Sequence, residues 1–533
     1  MSAQPSLLEK LRISARRHPV VIDALLWSIP ALLFGAVLRI LLTSYLPYAF
    51  WNADSRSFYV FTQKFMQHGW FSLGDKRRYL YPLLLLPISE LPGGVLRWLP
   101  IFQHSFGLIT LVPLAYVVRK TLVFWRVWIV PITVVYAGLP LILWCEHELL
   151  GDHLFFALLI WTFAGWVAWV SQSAPERARR MFWAFLVPLA LFIITKPHGR
   201  FVWPGLILGL CLLQAWKLLR WPQWAALALV LVVTPTVGSN KQGAWLFYDA
   251  AFPLTRLDTP LHAEYKALLR ERVERFRQQL GTYYAVQEEE PYYFLRDPEK
   301  HSDSPLWKKL SHDPALKNKI YFDLAFEAVK SRPDLFLYMG LQRVAFDANI
   351  STYETIHFDD GAFMKRSQEY YDEAATDEES PVRIAYALPS HGPIPAEEEF
   401  QRRVEPKPGS WAARTVRTIV NSYGTHLDFL RYTDPAYQPH QLSFVRPTFL
   451  GCWLLLGAAL SLLPRYRRTL GVWMVLAVIY VFGVYIISVV NIHYVAPVWP
   501  VFFAVLAIPG DVILTKLSER AFSKAVTTPA PAR

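Results

Sequence analysis

Asp54 is the first residue whose type and position suggest chemistry. It stands in the segment WNADS (residues 51–55), directly after a long apolar run. A carboxylate at the rim of an apolar helical bundle costs desolvation free energy unless it has a partner or a task. Asp54 can cap the helix that follows it, or it can act as a general base that takes the proton of an attacking hydroxyl. The two roles are compatible, because a cap holds the carboxylate in one place.

Acidic side chains and histidines also crowd the boundary between two later apolar runs. The group consists of Glu146, His147, Glu148, Asp152 and His153. One interpretation is a solvated turn. However, Asp152 and His153 open an apolar run, where apolar residues are the rule, so Asp152 is a second catalytic candidate and Glu148 and His153 are candidates for substrate binding. The spacing is not diagnostic of zinc or any other metal, so a divalent cation such as Mg²⁺ or Mn²⁺ remains open.

Two groups of cations could bind a phosphate or pyrophosphate. They are Lys196, His198 and Arg200, and, earlier in the chain, Lys76, Arg77 and Arg78. Arginine binds phosphate in a bidentate manner and lysine acts as a point charge. The alternative is that these side chains only reach from an apolar surface towards water.

Three further residues are candidates for substrate contacts. Arg39 lies inside the first apolar run and needs a partner there, which Asp54 or an anionic lipid head group could provide. His493 and Tyr494 open the last apolar run. They could contact a sugar or phosphate, or they could belong to the aromatic belt that is common at membrane surfaces.

The composition indicates a membrane protein with about ten spans. Of the 533 residues, 53% are apolar and only 18% are charged. The apolar residues fall in long runs, most of them near the length of about 17–25 residues that crosses a bilayer. The runs are residues 21–45, 101–118, 122–144, 154–170, 181–194, 201–216, 221–237, 444–463, 470–490 and 495–514.

The distribution of Lys and Arg predicts the orientation. With the N-terminus in the cytoplasm, the short loops that fall inside are all basic, as the positive-inside rule requires. The C-terminus is then also cytoplasmic. Residues 81–91 are apolar but short and contain Pro82 and Pro87. If they crossed the membrane, every later basic loop would face outside, so they predict an interfacial or re-entrant helix on the outer side. The net charge of +12 reflects this inward bias and does not indicate a nucleic-acid partner.

Four regions follow from this pattern. Residues 1–238 form an N-terminal transmembrane block of about seven spans, with an outer catalytic loop at 46–100. Residues 239–443 form an extracytoplasmic segment, in which 320–330 and 333–346 have the apolar spacing of helices that rest on a membrane surface. Residues 444–515 form a block of three spans, and residues 516–533 are predicted to be a disordered cytoplasmic tail.

The sequence contains no Walker loop, dinucleotide fingerprint or Gly-rich phosphate loop. Energy for a group transfer would therefore have to arrive with the substrate. A lipid-linked phosphosugar meets this need, because its leaving group is already activated and its anchor delivers it within the membrane.

Several motifs in order resemble the GT-C superfamily of integral membrane glycosyltransferases. They are DSRSFY (54–59), RYLYPL (78–83), GDHLF (151–155), ITKPHG (194–199), the stretch 321–343 and HYVAP (493–497). The nearest resemblance is to bacterial protein O-mannosyltransferases and lipid A aminoarabinose transferases. Two positions depart from the family pattern. Asn52 stands where a second acidic residue is common, and His493 replaces an arginine.

The resemblance implies an all-α polytopic bundle that transfers a sugar with inversion at the outer face of the bacterial inner membrane. The donor would be a polyprenyl-phosphate sugar, delivered among membrane lipids, and the acceptor a glycan, lipid or protein. Asp54 would deprotonate or align the acceptor, Asp152 would orient the acceptor or the sugar, and the cations would stabilise the departing phosphate. A lipid-linked saccharide transporter or flippase and a polysaccharide ligase remain as alternatives.

Overall fold

The computed structural model describes most of the chain. The described residues are 19–51, 53–68, 80–196, 199, 202–212, 219–233, 243–278, 313–347, 360–377, 380–388, 392–404, 409–426, 429–432, 445–487 and 496–527. Of the residues singled out above, Lys76, Arg77, Arg78, His198, Arg200, His493 and Tyr494 lie outside these ranges.

The N-terminal half is helical. The helices are α1 (Pro19–Tyr45), α2 (Ala53–His68), α3 (Leu80–Ser89), α4 (Val95–Thr121), α5 (Trp125–Ala137), α6 (Pro140–His147), α7 (Asp152–Val170), α8 (Pro175–Thr195), α9 (Val202–Leu212) and α10 (Trp221–Val233).

The rest of the chain is also mainly helical. Its helices are α11 (Gly243–Ala251), α12 (Ala263–Gln278), α13 (Pro314–Ser331), α14 (Pro333–Asp347), α15 (Asp360–Thr376), α16 (Pro381–Ala385), α17 (Glu397–Val404), α18 (Trp411–His426), α19 (Phe449–Ser461), α20 (Val472–Ile487) and α21 (Trp499–Thr527). Between α18 and α19, the short strands β1 (Leu430–Tyr432) and β2 (Val445–Pro447) pair antiparallel, with Arg431 opposite Arg446.

The chain is a helical membrane protein, as its apolar runs predict, but the expected number of about ten spans is not confirmed. Among the described residues, six helices are long and apolar enough to cross a membrane: α1, α4, α7, α8, the segment Pro464–Val484 and the segment Ala496–Ala521. A seventh span results if α5 and α6 are counted as one broken helix, which is bent by 50° at the break. The bend falls where Leu139 precedes Pro140, the first residue of α6, because proline cannot continue the hydrogen-bond ladder of a preceding helix.

Two other boundaries are of interest. Helix α3 covers 10 residues, too few to cross a bilayer, which agrees with the prediction for residues 81–91. Helix α21 continues to Thr527, so the prediction of a disordered tail from residue 516 is wrong for residues 516–527. Residues 516–525 combine charged with apolar residues and contain no glycine or proline, a composition that allows the preceding helix to continue.

Helices α7 and α8 form a closely packed hairpin. Gly165 on α7 allows this contact, because a Cβ there would lie 2.2 Å from the carbonyl oxygen of Ala184 on α8. Rings of both helices interlock beside it, with Trp169 stacked on Phe185 at 5.6 Å. The antiparallel hairpin brings the first residue of α7 next to the residue that follows α8.

A carboxylate ties the C-terminal block to the N-terminal block. Asp511 on α21 accepts hydrogen bonds from the backbone N–H groups of Val123 (3.0 Å) and Phe124 (2.7 Å), which precede α5. It also accepts one from the Tyr466 hydroxyl at 2.8 Å. These bonds satisfy N–H groups at the start of a helix.

A second, smaller core lies in α11, the turn after it, α12, α13 and α14. It is built on aromatic packing, with Tyr248 stacked on Tyr321 at 5.7 Å. Helix α14 packs against the membrane-spanning helix α20, and Val344 near its end packs against the main core. The second core is therefore attached to the membrane bundle through α14.

Candidate functional site

Asp152 and Lys196 form an ion pair at one end of the α7–α8 hairpin. Asp152 is the first residue of α7 and Lys196 follows the last residue of α8. The Lys196 ammonium donates a hydrogen bond to Oδ1 of Asp152, whose side chain is only 1% exposed. The helix dipole also stabilises a carboxylate at this position. Two residues that the sequence assigned to one site are thus in direct contact.

His153 lies beside this pair, in a buried aromatic setting. Its ring is 6.1 Å from the ring of Tyr81 on α3 and 6.3 Å from that of Phe106 on α4. Gly151 brings the start of α7 close to the same tyrosine, since a Cβ at Gly151 would be 3.4 Å from Cβ and Cγ of Tyr81. Tyr81 therefore covers the start of α7.

Tyr81 also connects α3 to the segment that carries Glu148. Its hydroxyl donates to Oε1 of Gln103 at 2.9 Å. The amide of Gln103 in turn donates to the carbonyl oxygens of Glu146 and Glu148. Burial raises the pKa of Tyr81 well above its usual value, and the charges of Glu148 and Asp152 raise it further. The hydroxyl therefore stays protonated and remains a donor.

Asp54 lies in the first turn of α2 and its side chain is exposed. One turn later, the ring of Phe58 packs edge-on against Tyr81 at 5.3 Å. Tyr81 consequently contacts both α2, the helix of Asp54, and His153, the residue that follows Asp152. Tyr370 on α15 donates a hydrogen bond to the carbonyl oxygen of Trp51, which holds the entry to α2 from the other side.

The segment before α2 is bound to the segment before α7. Phe50 donates its N–H to the carbonyl oxygen of His147 at 2.8 Å, and Leu149 donates its N–H to the carbonyl oxygen of Phe50 at 3.0 Å. Glu148 is buried here and accepts a hydrogen bond from the Trp144 indole at 3.1 Å. These contacts make the two loops one unit, although they are almost 100 residues apart.

Arg39 has a different partner from the one expected. Its Nε and Nη2 atoms donate to the two carboxylate oxygens of Glu146, each at 2.7 Å, and Nη1 donates to the carbonyl oxygens of Gly35 and Ala137. The prediction that Asp54 or a lipid head group pairs with Arg39 is therefore wrong. The Arg39 side chain is 3% exposed, which favours a structural role over contact with substrate.

Glu146 and His147 are not loop residues, since they end α6 and are buried. Oε2 of Glu146 lies 2.9 Å from Nδ1 of His104, and Nε2 of His104 lies 3.1 Å from Nδ1 of His147. Nε2 of His147 lies 2.9 Å from the carbonyl oxygen of Tyr48. The sequence alone did not single out His104 and Gln103. Their position in the sequence could have identified them, because polar residues inside an apolar span usually have a function or a partner.

A small cavity adjoins this network. Its volume is about 10 Å³, and its lining includes Thr110, Tyr136, Glu146 and His153. This is close to the space that one water molecule needs. Gly107 leaves room for the Glu146 carboxylate, because a Cβ at that position would lie within 2 Å of Oε1.

The question of a divalent cation concerns the carboxylates and histidines of the described residues. Among them, no group of three or more His, Cys, Asp or Glu side chains could hold a metal ion. The buried carboxylates instead accept hydrogen bonds from other side chains: Glu146 from Arg39, Glu148 from Trp144 and Asp152 from Lys196.

Of the predicted site residues within the described ranges, Asp152, His153 and Lys196 lie together, Glu148 and Asp54 lie on segments joined to them, and Arg39 belongs to the buried network.

Comparison with protein-family models, curated proteins and solved structures finds no match to this chain.

Proposed function

We propose that this protein is a GT-C-type membrane glycosyltransferase. It moves a sugar from a polyprenyl-phosphate donor to a glycan, lipid or protein acceptor at the outer face of a bacterial inner membrane, in a bundle of about ten spans. The observation that carries the proposal is the contact between Asp152 and Lys196 next to Tyr81, which also packs against the helix of Asp54. Acid and cation candidates from three separate motifs are thus connected through one tyrosine.

The reaction is a single displacement. The acceptor hydroxyl oxygen forms a bond to the anomeric carbon as the bond from that carbon to the phosphate oxygen breaks, which inverts the configuration. Asp54 takes the proton of the hydroxyl, and its exposure leaves it accessible to an acceptor from the aqueous side. The electron pair leaves with the phosphate.

Lys196 stabilises the negative charge that develops on this phosphate, because a cation already in place needs no reorganisation during the reaction. Asp152 holds the ammonium in position. This changes the role that the sequence suggested for Asp152 from orienting the acceptor or sugar to orienting Lys196. The cations Lys76, Arg77, Arg78, His198 and Arg200 are expected to add to the phosphate site.

The experiment that tests the proposed class is mass spectrometry of cell-surface glycans from a strain that lacks the gene. A glycan, glycolipid or glycoprotein should lose a defined sugar, and expression of the wild-type chain should restore it. An unchanged set of surface glycans under conditions where the protein is normally expressed contradicts the proposal.

A transporter or flippase of lipid-linked saccharides is the second candidate. Transport sites have polar groups deep in the membrane, and the Arg39–Glu146–His104–His147 network supplies such groups. Arg39 lies six residues from the end of α1, which corresponds to about 9 Å at 1.5 Å per residue. Movement of a lipid-linked saccharide across vesicles without formation of product would favour this candidate. A polysaccharide ligase differs from the proposed enzyme mainly in its donor.

A further inference from the structure

Helix α13 has two apolar faces, and the second core accounts for only one of them. Ile320, Tyr321, Leu324, Ala325 and Ala328 are buried in that core. At 100° per residue, Phe322 and Phe326 point to the opposite side of the helix. They are 53% and 58% exposed, and their rings stack on each other at 6.3 Å.

Polar contacts fix the rotation of α13 about its axis. Oδ2 of Asp323 lies 2.9 Å from Nε2 of His262, which precedes α12. Glu327 accepts from Lys266 at 2.6 Å. The helix therefore cannot turn Phe322 and Phe326 inward without breaking these contacts. The fold itself keeps the two phenylalanines exposed.

Helix α14 repeats the arrangement. Phe336 is buried in the second core, whereas Leu337 and Leu341, one turn apart, are 51% and 40% exposed. Phe247 joins the two helices, since its ring lies 6.2 Å from that of Phe322 and 6.0 Å from that of Phe336. The apolar patch is defined here as Phe322, Phe326, Leu337 and Leu341.

The position of α14 indicates what covers the apolar patch. Helix α14 packs on α20, the main part of the span Pro464–Val484, and α20 itself exposes Val478. The spans expose apolar side chains as lipid-facing helices do, for example Leu33 and Ile40 on α1.

We propose that the apolar patch inserts into the boundary between lipid head groups and acyl chains, so that α13 and α14 lie on the membrane surface. The neighbouring span places the patch beside lipid, and a helix with an apolar face of this kind binds by burying that face a short way into the bilayer. The proposal concerns membrane contact alone and does not depend on the proposed transfer reaction.

Site-directed fluorescence quenching tests the proposal. The full chain, with Cys211→Ala and Cys452→Ala to remove the exposed thiols, receives one cysteine at a time: Phe322→Cys, Phe326→Cys, Leu337→Cys or Leu341→Cys. Each variant is labelled with a polarity-sensitive fluorophore and reconstituted in vesicles of phosphatidylcholine and phosphatidylglycerol. The quenchers are a lipid with a nitroxide near the start of its acyl chain, and aqueous iodide. Glu271→Cys on α12, which is exposed on another helix of the second core, is the matched control.

The four labels should be quenched mainly by the nitroxide lipid and little by iodide, and the Glu271→Cys label should show the reverse. Quenching of the four labels by iodide to the same extent as the control would overturn the proposal. Protection from both quenchers would also overturn it, because a protein surface would then cover the patch. Since the four positions are exposed, each substitution leaves the core intact, and four independent positions guard against the failure of one variant.

Discussion

At the scale of single residues, the ion pair of Asp152 and Lys196 dominates the candidate site. Removing one partner leaves a charge in a place where it is nearly sealed from water, which typically costs about 3–5 kcal/mol. Lys196→Met should therefore lower the free energy of unfolding strongly, and adding Asp152→Asn should recover part of the loss. Arg270→Ala, which removes an ion pair whose side chains are more than half exposed, should cost less than about 1 kcal/mol. Denaturant unfolding in detergent measures all three effects.

The same lysine has a second, proposed role in donor binding. Lys196→Ala removes the proposed phosphate-binding cation and should weaken binding of a polyprenyl monophosphate in detergent. Asp152→Asn keeps the cation, and the amide oxygen can still accept a hydrogen bond from it, so this variant should bind the phosphate more tightly than Lys196→Ala. Equal affinity of the wild type and Lys196→Ala for the lipid phosphate would remove Lys196 from the phosphate site.

Arg39 illustrates what a sequence can and cannot predict about a residue. Its position inside an apolar run was sufficient to predict that it needs a partner. The partner, Glu146, is 107 positions away in the chain. Their meeting depends on how α1 packs against the kinked pair α5 and α6, and no local pattern in the sequence encodes that packing. The pairing of Asp152 with Lys196 was more accessible, because both residues flank a predicted helical hairpin.

At the scale of helices, the packing of α7 on α8 positions the site. Gly165→Ala should lower the free energy of unfolding by about 1–3 kcal/mol, because the added methyl group meets the α8 backbone at 2.2 Å and forces the helices apart. This loss outweighs the gain in helix propensity, which is at most about 1 kcal/mol. Gly409→Ala, where a Cβ would meet no atom within 4 Å, is the control and should be close to neutral. A thermal unfolding midpoint for Gly165→Ala equal to that of the control would contradict this account of the hairpin.

The helices themselves were largely predictable, because long apolar runs leave few other structures in a membrane. The run at 21–45 became α1, and the run at 154–170 became most of α7. The bend between α5 and α6 was not predicted, although Pro140 marks it. The apolar run continues without a break across that bend, so a hydropathy pattern does not show it. The interruption lies in the backbone hydrogen bonds alone.

At the scale of the whole molecule, the orientation in the membrane decides which side the site faces. The positive-inside pattern predicts that α2 lies outside and that the turn before α8 lies in the cytoplasm. In a background with Cys211→Ala and Cys452→Ala, an impermeant maleimide added to intact cells should label Gln67→Cys and leave Arg177→Cys unlabelled. Both positions are exposed, so access to the reagent decides the outcome. Labelling of Arg177→Cys alone would place the candidate site in the cytoplasm and exclude a donor delivered at the outer face.

The central claim is that Asp54 acts together with Asp152 and Lys196 in one transfer site. The most direct test is to express Asp54→Asn in a strain that lacks the gene and to analyse its surface glycans by mass spectrometry. Glu271→Gln, a matched change at an exposed acidic residue of the second core, serves as the control, and membrane fractions confirm that both variants are inserted. The account predicts that Glu271→Gln restores the missing sugar and that Asp54→Asn does not. Full restoration by Asp54→Asn would contradict it.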